Sequence, residues 1–427
     1  MKRSRTMMMA AAALLSSVLG CGPDTNPAAT SQTSAAASGG AAASAAPRAP
    51  KPPEEAGRAH AELLGSTLPP DVDDKLLARL RRERKSAEIV ALYDQLSWQS
   101  FVAVNWPTSD AGEPRPKLGD RGSPAWMQWK EAFDVFLDDG SRPSAWGAPR
   151  RLLGGRPTAK TSPLPAGEGA ARSTRLVFSA GAKPRRTTAD ELNQAFASPI
   201  WDQNGNIIYY EVILNRPEFE YISKEELYNL DGQIAFSKKN PGKDLDPRNC
   251  NHPNKTMVVM PSGTHGTKDE GAVEIKLAWK VLTPSDIEER YLATDGLVPA
   301  AITLSGSCAS GGLTASIDAS KGWKKARLGL VGFHISHKTA SAPQWVWSTF
   351  EQVDNLAVNE LEAARLASQG KTLKPTFNDP SCETCPINVC TAPPQKNQIQ
   401  RVIPIAVQTA ELNREMQRLL RSQGSAL

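Results

Sequence analysis

The chain has 427 residues, 40% hydrophobic and 22% charged, enough apolar material to bury a substantial core, which excludes a protein disordered throughout. Fifty Lys and Arg stand against 45 Asp and Glu, a net charge of +5 spread along the sequence with no long basic block. That distribution argues against nucleic acid as a partner, because such binding calls for a concentrated basic stripe or a recognisable module.

Lys2, Arg3 and Arg5 precede the short apolar run MMMAAAALLSSVLG, which ends at Gly20 and Cys21. The run is too short and too alanine-rich for a membrane span and reads as a signal peptide over 1–20. Val18-Leu19-Gly20-Cys21 resembles the lipobox of bacterial lipoproteins, with Leu19 larger than the residue usual at its place; an ordinary secretory signal is the alternative. The resemblance implies lipidation at Cys21. Without aspartate directly after that cysteine, it also implies the outer membrane, on its periplasmic or surface face. Residues 22–57 carry almost no large apolar side chain and are expected to form a disordered tether with a span of roughly 33 Å. A single large α+β domain over 58–427 is expected beyond it.

KLLARLRRERK at 75–85 follows Asp71, Asp73 and Asp74, the charge order that suits a helix dipole, so it reads as a solvated helix face. Helical spacing predicts a second helix within 86–107 and a third over 123–140, between Ser123-Pro124 and Gly140. The Pro, Gly and Arg of 141–172 predict a long loop or an insertion. In WDQNGNIIYYEVILN (201–215) Asn204-Gly205 predicts a turn into a strand; the glycine falls too early for a calcium loop. GAVEIKLAWKVL (271–282) alternates, with Val273, Ile275, Leu277, Trp279 and Val281 on one face and Glu274, Lys276 and Lys280 on the other. Further strands are predicted at 300–307, 326–336 and 344–350, with Trp345 or Trp347 in the core. Helices are predicted over 354–370, starting on Asp354 or Asn355, and over 411–422. The fold class expected is α+β, a mainly antiparallel sheet flanked by helices.

Five cysteines follow Cys21. In an exported protein that number predicts two disulfides and one thiol over, the candidates being Cys250, Cys308, Cys382 and Cys385. The C-x-x-C at 382–385 lies in a Pro-rich loop, where a structural role suits it better than a redox one. Zinc would need a distant fourth ligand such as Cys250 or His252, and an oxidising compartment disfavours free thiolates. The glycine-rich SGSCASGG (305–312) lacks the helix and lysine of a phosphate cradle and reads as a loop. No resident cofactor or metal is expected.

The blocks SWQSFVAVNWP, AWMQWK, SPIWDQNGNIIYYEVILN, GLVGFHISHKT, PQWVWSTFEQVDN and FNDPSCETCPIN together resemble a group of exported bacterial proteins of unknown function, some labelled cytochrome c family because related chains carry haem-attachment modules. The resemblance spans most of 90–420 and implies no particular reaction. It departs at the haem: Pro386 follows Cys385, so no C-x-x-C-H occurs, and no catalytic residue carries over.

The chemistry-bearing residues gather near HISHKT. On a helix His334 and His337 would share a face; on a strand their odd separation puts them on opposite faces, and RLGLVGF before them is extended in character. The strand reading sets His334, Ser336 and Lys338 on one side, where Glu274 and Lys276 can meet them and Glu351 follows. The candidate catalytic set is therefore His334, Glu274, Lys276, Lys338 and Glu351, a cluster able to move protons or simply a hydrogen-bonded sheet face. The expected function is a membrane-anchored extracytoplasmic lipoprotein that binds a ligand or serves a structural role. The alternatives are an enzyme using this cluster and a redox partner of a haem protein.

Overall fold

The computed structural model describes residues 61–137, 139–148, 199–239, 258–308, 312–318, 321–396 and 398–424. The signal peptide expected over 1–20, Cys21, the tether expected over 22–57, most of the loop expected over 141–172, Cys250 and His252 lie outside the described residues.

The fold is α+β, built on an antiparallel sheet. Two helices open it, α1 (Asp74–Arg82) and α2 (Ser86–Val104). Asp73 caps α1, its Oδ1 accepting from Leu76 N at 2.9 Å, which satisfies an N–H left without a partner at a helix start and lowers the Asp73 carboxyl pKa. The residues after α2 do not form the helix expected over 123–140. β1 (Pro107–Thr108) pairs with β2 (Ser123–Pro124), a 3₁₀ turn covers Ala125–Gln128, and β3 (Lys130–Glu131) leads into the one-turn α3 (Ala132–Val135). Tertiary pairing overrides helix propensity here: Lys130 and Glu131 take Leu214 and Ile213 as strand partners, and Trp126 is fully buried with Nε1 donating to Asn105 Oδ1 at 3.1 Å.

β4 (Tyr209–Leu214) follows the Asn204-Gly205 turn, where Gly205 takes φ 77° and Asp202 Oδ1 accepts from the N–H groups of Asn204 and Asn206. Then come α4 (Arg216–Lys224), α5 (Leu230–Lys239), β5 (Val273–Val281), β6 (Ala293–Pro299), β7 (Ile302–Ser307), β8 (Gly312–Ile317), β9 (Trp323–His337) and β10 (Val346–Glu351). The sheet runs β10-β9-β5-β4-β3, with β6 on the first half of β9. In SGSCASGG, Ser305–Ser307 end β7 and Gly312 begins β8, and the two strands pair antiparallel in place of the plain loop expected.

Alternation along β5 decides what is buried. Val273, Ile275, Leu277 and Trp279 are all 0% exposed, and Ile213, Phe333 and Ile335 join them in the largest core cluster. Full burial of such side chains stabilises the fold by roughly 1.5–3 kcal/mol each. α2 closes this face: the Phe101 and Phe350 rings stack at 4.1 Å, with Trp98 edge-on to Phe350 at 4.9 Å. The opposite face is not the open one expected from Lys280. That lysine is 2% exposed, held by Asp286 at 2.6 Å and Asp202 at 3.6 Å.

α6 (Glu360–Ala367) starts later than expected, capped by Asn359. Asp354 and Asn355 are engaged elsewhere: Asp354 makes a two-point pair with Arg290, and Asn355 Nδ2 donates to Val331 O at 2.7 Å. α7 (Val407–Ser422) ends the described chain, with Met416, Leu419 and Leu420 buried against Trp98 and Val102. Two disulfides are present among the described residues. Cys382 bonds Cys385, while Cys308 bonds Cys390 and ties the β7–β8 hairpin to the C-terminal segment. Cys390, omitted from the candidate pairs, thus takes the partner that spacing alone could not assign. Trp347 is 64% exposed, and Trp345 turns the chain into β10 with φ 73°; neither belongs to a core cluster.

Candidate functional site

Strand register builds a polar row on the sheet face opposite the main core. Directly opposite residues on neighbouring strands share a face. Lys276 pairs with His334, and His334 with Thr349. One rung along, Lys130, Leu214, Glu274, Ser336 and Trp347 line up across five strands. Glu351 stands opposite Gly332, one rung the other way.

His334 Nδ1 meets Thr349 Oγ1 at 2.9 Å. Burial, helped by the Lys276 charge, lowers the His334 pKa, with Glu351 opposing, so the imidazole is neutral at pH 7. Lys276 Nζ lies 4.9 Å from the Tyr210 ring centroid, a cation–π contact. Glu218, in the first turn of α4, is 0% exposed, with no hydrogen bond to either carboxyl oxygen among the described residues. Burial first, and the charge of Glu274 second, raise its pKa well above the ordinary value.

Of the other candidates, Lys338 lies apart from this row and Glu351 at its end. Lys338 is buried, its ammonium on the Pro343 carbonyl, and burial lowers its pKa. His337 points to the core side: it is 2% exposed, and Nε2 donates to Glu270 O at 2.7 Å. Glu351 is exposed and pairs with Arg401 at 3.0 Å. Among the described residues Asp73, Asp74 and His265 bring their ligand atoms within 4.8 Å of one another, yet Asp73 already serves as the α1 cap.

A wide concavity sits at the sheet margin. A groove of about 1280 Å³ runs along β10, with Thr349 and Glu351 in its lining and His334, Lys276 and Glu274 outside it. One wall is α2 and α7, where Trp98 Nε1 donates to Asn413 Oδ1 at 2.9 Å and Thr409 Oγ1 to Asp94 Oδ2 at 2.6 Å. Thr409, Asn413, Gln417 and Arg421 recur every fourth residue of α7, so they form one stripe facing the groove. The opposite wall is residues 352–359 with α6, drawn to the sheet by Arg290, which bonds Asp354 and, at 3.0 Å, Glu362. Exposed Val353 and Leu361 line this side.

Sequence reasoning found the row and missed the groove. Its signals were present: a polar stripe repeats every fourth residue of α7 beside Leu412, Met416 and Leu419, and WVWSTFE alternates as a strand. Comparison with protein-family models, curated proteins and solved structures finds no match to this chain, so its own geometry carries the functional argument.

Proposed function

We propose that this chain is an exported lipoprotein, anchored through Cys21, whose folded part binds a ligand in the groove along β10. The groove carries the proposal: about 1280 Å³ lined by hydroxyl, amide, carboxylate and arginine side chains beside exposed Trp347, Val353 and Leu361, the mixture of apolar area and convergent polar groups that suits ligand binding. The basic and apolar stretch before Cys21 supports export, and the two disulfides suit an oxidising compartment. Stable anchoring would come from more than one acyl chain.

Labelled palmitate should enter the full chain and not the Cys21→Ala variant, which should leave the membrane fraction. A benzophenone side chain at Leu361 should give a discrete adduct in the producing cells, and one at Ile234, exposed on α5, should not. A membrane-bound protein without acyl groups refutes the anchor; no adduct at Leu361, or equal adducts at both places, refutes the groove.

One observation favours a second reading. A neutral His334 oriented by Thr349 and flanked by Lys276 resembles a general-base arrangement, so an extracytoplasmic enzyme acting at the polar row is the alternative. Loss of a measured turnover in His334→Ala at unchanged melting temperature would select it.

A further inference from the structure

Resting on the groove as the binding site, we infer that its ligand is an extended polypeptide segment that adds to β10 as a further strand. The backbone supplies the argument. Gln352 N donates to Val331 O at 3.1 Å, and in an antiparallel ladder facing and outward residues alternate. Residues 346, 348 and 350 therefore turn their N–H and C=O groups toward β9. Trp347, Thr349 and Glu351 turn theirs away from it, into the groove. No hydrogen bond to these outward groups occurs among the described residues.

An open edge is a template for another strand, and proteins guard such edges with proline, lysine, bulges or a covering element. Val-Trp-Ser-Thr-Phe-Glu has no proline and no lysine, and its pairing with β9 is regular. Its protection is recess between two walls. α2 packs on one side of β10 through the stacked Phe101 and Phe350 and through Ser348 Oγ, which donates to Ser97 Oγ at 2.7 Å. On the other side Leu356 packs with Tyr210, Ala278 and Val331 on the opposite sheet face. A second folded copy would bring the same walls around its own β10 and collide, whereas a single extended chain fits between them.

The six residues of β10 span about 20 Å, and an added strand of similar length would meet unlike surfaces with alternate side chains. Thr409, Asn413 and Gln417 lie on one side, Val353 and Leu361 on the other. The preferred segment therefore alternates polar and apolar residues, the pattern of an unpaired β-strand. Main-chain hydrogen bonds supply affinity in this mode and alternate side chains supply selectivity.

The test pans a random decapeptide library against the full chain in detergent, then synthesises the best binder with single N-methyl groups along its backbone. Methylation should weaken binding at least tenfold at every second position and less than twofold between them. The amides of Trp347, Thr349 and Glu351 should exchange at least tenfold more slowly in the complex. Thr349→Pro, which removes an outward N–H and keeps the β9 ladder, should also weaken binding tenfold. The methylation scan holds even if that variant folds poorly. Uniform tolerance of N-methyl groups, or no selected peptide, overturns the strand-addition inference; a Leu361 adduct that persists and proves to be glycan leaves the groove reading standing. A dimer that Thr349→Pro converts to monomer overturns it in favour of a second copy. Loss of both the peptide and the Leu361 adduct ends both readings.

Discussion

Glu218→Gln offers the sharpest test of the polar face. Glu218 lies under α4 with no exposed surface and no hydrogen-bond partner among the described residues, and burial followed by the Glu274 charge raises its pKa well above the ordinary 4.5. The folded state therefore holds a proton that the unfolded chain releases above that ordinary value. Folding stability is highest below it, falls as pH rises toward the folded-state pKa, and then levels off. The steepest slope for one proton is about 1.4 kcal/mol per pH unit. Glutamine keeps the shape and the neutral polar group without the proton, so the variant should match wild type near pH 4.5 and gain on it by up to that slope as pH increases. Urea unfolding midpoints at unit steps from pH 4.5 to 7.5 measure the divergence. Adding Glu274→Gln to wild type should bring the levelling-off to lower pH, since removing the like charge lowers the folded-state pKa of Glu218. Parallel curves for wild type and Glu218→Gln, or a variant less stable at every pH, would refute the reasoning by showing that the carboxylate has a partner.

His334→Ala should lower stability by about 1 kcal/mol, the low end for a lost hydrogen bond because Thr349 is exposed and can turn to water, and should leave the Leu361 adduct unchanged. Urea midpoints and adduct yield read the two effects. Paired Ser substitution of Cys308 and Cys390, whose separation is 82 residues, should cost about 4.5 kcal/mol from loop closure; paired Ser substitution of Cys382 and Cys385, separated by 3 residues, about 2 kcal/mol. Non-reducing peptide mapping of the purified protein should recover these same two pairs. Asp354→Ala should destabilise by about 3 kcal/mol, the low end for breaking a buried pair because Arg290 keeps Glu362 at 3.0 Å; a cost below 1 kcal/mol would show that the pair is solvated.

β5 shows what the sequence by itself determined. Its period-two pattern specifies which side chains are buried, and because a one-residue slip would reverse both faces, it also sets the register that brings Lys276 opposite His334. The caps at Asp73 and Asn359 and the turn at Asn204-Gly205 act within a few residues, so local chemistry specifies them. Other features arise only between distant segments. Lys130-Glu131 becomes strand because β4 offers a free edge, α6 starts at Asn359 because Arg290 and Val331 engage Asp354 and Asn355, and Cys308 meets Cys390 because the β7–β8 hairpin lies beside the C-terminal segment. The groove belongs with these. Its walls come from α2, β10, α6 and α7, and its open backbone edge exists only because β10 is the last strand of the sheet, a matter of topology that no local periodicity encodes.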